Sequence, residues 1–176
     1  MTVWIVRHAA AAVAGDDPGL TDAGVVQARQ LALRLAPRPL RAVWSSDSLR
    51  AIETARIVAE PHRLWVASTP ALRELDFGAW SGRFLGDLWT EDPEAALAWE
   101  KDIRLTPSTF RETVGDLEGR VADFWNDIRG NSPGGEIAVV AHHGSLAALR
   151  SLITGQSFES SFAIKPAFAS CEELHA

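Results

Sequence analysis

The chain has 176 residues, 47% hydrophobic and 23% charged, the make-up of a globular domain with enough material for a full core. Its net charge of -6 gives no basic face for a polyanion. Nucleic acid is therefore not an expected partner, and an anionic substrate must be met by a local cluster of arginines. No apolar run approaches the roughly 18 residues that span a bilayer. The single cysteine, Cys171, cannot close an internal disulfide, which fits a reducing compartment, so a cytoplasmic chain without a membrane partner is expected.

Thr2-Val3-Trp4-Ile5-Val6 has the character of a buried strand and runs straight into Arg7 and His8. Ligands of open α/β sheets bind beyond the carboxyl ends of strands, so this pair stands where a site belongs. A small-residue loop follows, from Ala9 to Gly19, with too few polar side chains to reveal what it recognises. Thr21 then reads as an N-cap and Asp22 as first-turn charge. Val25, Ala28, Leu31, Ala32 and Leu35 recur at helical spacing, and Pro37 and Pro39 end that helix.

Ala42-Val43-Trp44 reads as a second buried strand, and Ser45-Ser46-Asp47-Ser48 as turn and capping residues. The next helix carries Arg50 in its first turn, a favourable place for binding an anion. Leu64 to Ala67 is expected to be a third strand. Leu72 to Gly82 reads as a loop in which Glu74 and Asp76 face one side if the backbone is extended. Helical patterns run from about 85 to 100 and from about 114 to 128, with Trp89, Trp99 and Trp125 expected to anchor them in the core. Asn131 to Gly135 is the strongest turn in the chain. Ile137 to Ala141 is a buried strand that ends in His142-His143-Gly144, followed by a helix from Ser145 to Ile153. The stretch from Phe168 to Leu174 is a candidate last strand. Alternating strands and helices predict one domain over residues 1–176, a three-layer α/β/α sandwich with a mostly parallel sheet.

Two strand ends thus carry histidine, one helix start carries an arginine, and a glycine-bounded loop carries an acid. These segments together resemble the histidine phosphatase superfamily, the phosphoglycerate-mutase-like group. Arg7-His8-Ala9 is similar to its Arg-His-Gly motif, and Leu20-Thr21-x-x-Gly24-x-x-Gln27-Ala28 to its first helix. Ser45 to Ala55 resembles its second-arginine motif. Leu72-x-Glu74-x-x-Phe77-Gly78-x-Trp80-x-Gly82 matches its acid loop, and Val139-Val140-Ala141-His142-x-Gly144 its second-histidine motif. The resemblance runs from Val3 to about Leu152.

The resemblance implies a role for each matching position. His8 would be the nucleophile. Arg7, Arg50 and His142 would hold phosphoryl oxygens, and Glu74 would protonate the leaving oxygen. His143 would offer its backbone N–H to phosphate or line the pocket. The expected substrate is a small phosphomonoester, with no cofactor and no metal, because arginines supply the positive charge. The rival reading of His142 and His143 as zinc ligands lacks a third ligand at a usual spacing. Cys171 in an apolar run reads as a packed thiol.

The chain departs from the family pattern at Ala9, where glycine is usual, and at Ser81, where relatives often carry glutamate. Ser81 and the short chain speak against a mutase. The acid loop looks most like that of α-ribazole-phosphate phosphatases. The Arg-His-Ala start instead resembles small protein-phosphohistidine phosphatases, which usually lack an acid loop. A phosphate-binding module without catalysis is the remaining alternative. The oligomeric state is not set by anything in the sequence.

Overall fold

The computed structural model describes residues 1–13, 17–81, 90–131 and 134–176. Five strands form one sheet: β1 (Thr2–Arg7), β2 (Leu40–Ser46), β3 (Val66–Thr69), β4 (Glu136–Ala141) and β5 (Cys171–His175). Their order is β3-β2-β4-β1-β5. All neighbours are parallel except β5, which closes one edge antiparallel to β1. The helices are α1 (Asp22–Leu35), α2 (Leu49–Ala59), α3 (Pro93–Lys101), α4 (Val114–Asn131), α5 (His143–Thr154) and the short α6 (Phe158–Phe162).

Strand alternation divides the core in two. Val3, Ile5, Ile137 and Val139 face α4 and α5. Val6, Val43, Ala138 and Val140 face α1 and α2. Such burial on both faces is why these strands read as continuous apolar runs. Thr21 caps α1, its Oγ1 accepting the Gly24 N–H at 3.0 Å. Leu31 and Leu35 of that helix are each 1% exposed, and their burial contributes about 1.5–3 kcal/mol apiece.

The expected α/β/α sandwich is thus present, with several local differences. Ser45 and Ser46 belong to β2 rather than to a turn. β3 starts two residues later than expected, so Trp65 falls in the connection before it and is 95% exposed. The acid loop is tight rather than extended, with the Phe77 N–H bonded to the Leu75 carbonyl. Glu74 therefore turns inward, while Asp76 stays exposed and accepts the Gly78 N–H. The last helix before the strong turn matches expectation, and Trp125 is buried. Residues 90 and 91 are helical, as expected; Asp92 interrupts the helix and caps α3, which begins at Pro93, and Trp99 is half-buried. Trp89 and the first part of the helix expected from residue 85 lie outside the described residues, as do Gly82, Ser132 and Pro133. Helix α5 starts at His143, two residues earlier than expected, and Phe168 precedes β5 rather than opening it.

Candidate active site

Register places the two histidines side by side. Arg7 is opposite Ala141 across the β1–β4 pair, so His8 and His142 both leave the sheet at the carboxyl ends of adjacent parallel strands. Their ring centroids are 5.0 Å apart. Strand β2, on the other side of β4, brings Ser46 to the same edge and leads into Arg50 on the first turn of α2.

His8 is 8% exposed, and its Nδ1 lies 2.8 Å from the Ala9 carbonyl oxygen. A carbonyl only accepts, so Nδ1 carries the proton and Nε2 keeps its lone pair. Burial pushes the pKa of this ring down to about 4, helped by the nearby Arg50 and Arg7 cations. The imidazole is therefore neutral at physiological pH, the form that can attack.

The backbone after His8 is clamped from two helices. The Ala9 N–H donates to Thr54 Oγ1 at 3.0 Å, and Thr54 Oγ1 donates to the Arg50 carbonyl at 2.7 Å. The Ala10 N–H donates to Gln27 Oε1 at 3.0 Å, and its carbonyl accepts the Thr21 N–H. A Cβ on Gly24 would lie 1.9 Å from that carbonyl, so the first-helix motif exists to let this loop pack down on α1. Ala9 is fully buried in that packing, which accommodates its methyl where glycine is usual.

His142 is 1% exposed, and burial, then the neighbouring His8 and Arg50, hold its pKa well below the usual range. Its Nε2 is 3.0 Å from Ser46 Oγ, and its Nδ1 is 3.4 Å from Nη2 of Arg50. Arg50 also makes a 3.6 Å ion pair with Asp17, whose carboxylate accepts the Leu49 N–H at the start of α2. Arg7 donates to the Pro166 carbonyl at 2.6 Å and stacks 4.2 Å above Phe168. Burial lowers its pKa, against the pull of Glu74.

Glu74 completes the group. Burial pushes its pKa up, opposed by the Leu75 and Gly144 N–H groups and by Arg7 and Arg120. Both N–H groups donate to Oε1, each at 2.9 Å. That leaves Oε2 as the natural seat of a proton. Arg120 braces the loop from behind: it forks onto Glu112 and donates to the carbonyls of Ala71 and Glu74.

Arg7, Arg50, Glu74 and His143 line one cavity of about 1080 Å³. Its outer wall includes Phe77, Trp80, Trp99 and Phe162, and Lys101 and Lys165 also line it. His143 packs on Phe162 with centroids 4.3 Å apart. It donates to the Phe162 carbonyl, and burial pushes its pKa to about 4. Its ring thus serves the wall of the cavity. Among the described residues, no group of three or more His, Cys, Asp or Glu side chains is placed to hold a metal ion.

All six expected side chains thus meet at one edge of the sheet. Sequence reasoning missed Ser46, Thr54, Gln27 and Arg120. Ser46 and Thr54 lie within the motif around Arg50 and are fully buried polar residues, but burial is not visible in a run of small residues.

Two arginines and a buried carboxyl around one cavity, with two neutral imidazoles at the same sheet edge, suit the chemistry of phosphate esters. The family model described as histidine phosphatase superfamily (branch 1) matches residues 3–176, and the chain belongs to that superfamily and is a phosphatase. It is 34% identical to the adenosylcobalamin/alpha-ribazole phosphatase of Salmonella typhimurium over 156 residues, 85% of this chain and 77% of the relative. It is 29% identical to the putative phosphoserine phosphatase 2 of Hydrogenobacter thermophilus over 159 residues, 90% of this chain and 78% of that one. The solved structure of a putative alpha-ribazole-5'-P phosphatase from Escherichia coli superposes with a TM-score of 0.84 at 28% identity, covering 98% of this chain and 89% of its own. The architecture is the phosphoglycerate-mutase-like one.

Proposed function

We propose that residues 1–176 form one catalytic domain that hydrolyses a small phosphomonoester through a phosphohistidine on His8, without a metal. One observation carries this reading: the buried carboxyl of Glu74 lines one cavity with Arg7 and Arg50, at the sheet edge where β1 leads into His8, whose Nδ1 faces the Ala9 carbonyl and leaves Nε2 unprotonated. The nucleophile is then in the state the first step needs, and burial favours the protonated form of the acid.

In that step the Nε2 lone pair attacks phosphorus while the P–O bond to the leaving group breaks. The Oε2 proton of Glu74 passes to the departing oxygen. The Ala9 carbonyl meets the positive charge that develops on Nδ1–H. Arg7 and Arg50 face the equatorial oxygens, where a planar guanidinium fork matches a phosphoryl group. His142 stands beside that shell: its Nε2–H donates to Ser46 Oγ, which donates to Ser48 Oγ, and its Nδ1 accepts from Nη2 of Arg50 and so steadies that arginine. Water then attacks the phosphohistidine, gives its proton to the Glu74 carboxylate, and releases phosphate and neutral His8. Fixed cations in a partly dry site supply the charge that a metal would otherwise bring, which supports the metal-free reading.

The two relatives above are named for phosphatases of phosphoserine and of α-ribazole phosphate, which favours a low-molecular-weight substrate over a phosphoprotein. Glu74 supports hydrolysis of phosphomonoesters over phosphohistidine, whose leaving nitrogen needs less acid help.

The test is hydrolysis of an aryl phosphate in excess EDTA by the parent, His8→Ala and Glu74→Gln, with trapping of an acid-labile, base-stable phosphoenzyme. The expected result is no turnover and no labelling in His8→Ala, and substantial aryl phosphate turnover in Glu74→Gln. Unchanged turnover in His8→Ala would sink the covalent mechanism.

A further inference from the structure

Among the described residues, two that are not glycine hold a left-handed backbone, Arg63 and Ala169. Arg63 closes the helical turn Glu60–His62, a usual place for that conformation. Ala169, with φ at 54°, closes no helix and lies between α6 and β5. Strain of this kind persists only where the surroundings impose it. Here the Ala169 N–H is shared between the carbonyls of Arg7 and His8, at 3.1 and 3.2 Å, and the Arg7 N–H donates to the Ser170 carbonyl at 3.2 Å. The Ser170 N–H and Oγ–H both donate to the Ala167 carbonyl, which closes the turn on itself. The strained residue is thus tied to the backbone of the two residues on which β1 ends.

The turn delivers one side chain to the same place. The centre of the Phe168 ring lies 4.2 Å from Cζ of Arg7 and 5.4 Å from the centre of the His8 ring, the two rings tilted by 46°. Phe168 is 45% exposed, so core filling does not account for its position. Pro166, two residues earlier, accepts a hydrogen bond from Arg7 Nη1 at 2.6 Å. Arg7 is therefore held by a carbonyl and a ring face, both without net charge. Arg50 is the contrast, since its partner Asp17 is a carboxylate that cancels charge. An aromatic face attracts a guanidinium without neutralising it, so the full charge of Arg7 stays available to a phosphoryl oxygen.

We propose that Phe168 is a positioning residue of this site: its ring holds the Arg7 guanidinium and the His8 imidazole in place, and the strained turn at 167–170 holds the ring. The consequence for turnover rests on the phosphatase reading, whereas the hold on Arg7 does not.

Phe168→Leu keeps bulk and apolarity but loses the ring, and Phe168→Tyr keeps the ring face. The Nε–H signal of Arg7 in a proton–nitrogen correlation spectrum, assigned by its loss in Arg7→Lys, reads the contact without any turnover. A ring face shields a proton above it, so Phe168→Leu should move this signal downfield and Phe168→Tyr should leave it nearly in place. Inorganic phosphate, titrated by calorimetry, should bind Phe168→Leu about three- to tenfold more weakly, the cost of ordering one long side chain on binding. On an aryl phosphate, kcat should fall by about tenfold, because His8 is less well aimed. Phe168→Tyr should restore most of both, and the thermal midpoints of the three proteins should be alike, as for a substitution at a half-exposed position. The proposal is overturned if Phe168→Leu leaves the Arg7 signal in place, or if it binds phosphate as the parent does. Equal impairment of Phe168→Tyr and Phe168→Leu would assign the position to packing alone and would also overturn it. A parent without turnover would sink the phosphatase reading, while the Arg7 signal and the phosphate titration would still decide the role of Phe168.

Discussion

The Gly144 N–H holds Oε1 of Glu74 at 2.9 Å, and a Cβ on Gly144 would fall 2.4 Å from that same oxygen. The glycine is needed for the approach of a carboxyl, not for its conformational freedom, because it sits inside α5. It also ties the acid loop to the turn that carries His142.

Gly144→Ala should therefore displace the acid while the helix itself tolerates alanine. Turnover of an alkyl phosphate is expected to fall about 10²–10⁴-fold, the worth of general acid catalysis. An aryl phosphate, whose leaving group needs little protonation, should lose far less. Steady-state kinetics on the two substrates checks this; equal losses on both would mean that Gly144 does not act through Glu74.

Asp17 occupies Arg50 and the start of α2 with a carboxylate, and an incoming phosphoryl group must replace it on Arg50. Asp17→Ala should lower KM by up to about fivefold, the scale of an exposed ion pair. The same change removes an acceptor from the first turn of α2 and should cost about 1 kcal/mol of stability. Opposite signs in KM and in the thermal midpoint separate this account from general damage, which would raise KM.

Motifs at strand ends and helix starts made much of the site legible in the sequence, because Arg7, His8, Arg50 and His142 sit where apolar runs stop. The acid loop was found by resemblance, but its shape was not: Glu74 and Asp76 diverge because the Leu75 carbonyl folds back onto the Phe77 N–H. Ser46 was hidden for another reason. A serine after Ala42-Val43-Trp44 has turn propensity, and only pairing of β2 with β3, Ser46 against Thr69, keeps it in a strand beneath His142. Trp65 misled in the opposite sense, since its β propensity is genuine but it lies in the connection before β3, where it is exposed.

Ser46 is the expected controller of the His142 tautomer. Ser46→Ala strips the partner from a ring nitrogen that is buried with its residue 1% exposed, at a cost of about 1–3 kcal/mol. At roughly 2–4 °C per kcal/mol for a chain of this size, the thermal midpoint should fall by several degrees. Inorganic phosphate should also bind more weakly, because Nδ1 is no longer held as the acceptor that steadies Arg50. Ser46→Thr keeps the hydroxyl and should restore phosphate affinity more than stability. Phosphate titration followed by thermal melts decides between this and a purely structural serine, for which phosphate affinity would not move.

His8 ties stability to pH. Its pKa lies near 4 in the fold against 6.5 for a free imidazole. The unfolded chain thus takes up a proton at a higher pH than the folded one. Stability from this group is fully present above pH 6.5, falls as pH drops, and levels off near pH 4 once both states are protonated. The slope is about 1.4 kcal/mol per pH unit within that window. His8→Asn removes the titrating ring, so its urea midpoint should decline less than the parent's between neutral pH and the acid end of the window. The raised pKa of Glu74 acts in the other direction and favours the fold at low pH, so the comparison must be made between the two proteins at each pH rather than along one curve. A parent and variant with parallel curves would show that His8 titrates normally in the fold, and the neutral nucleophile argued for here would lose its basis.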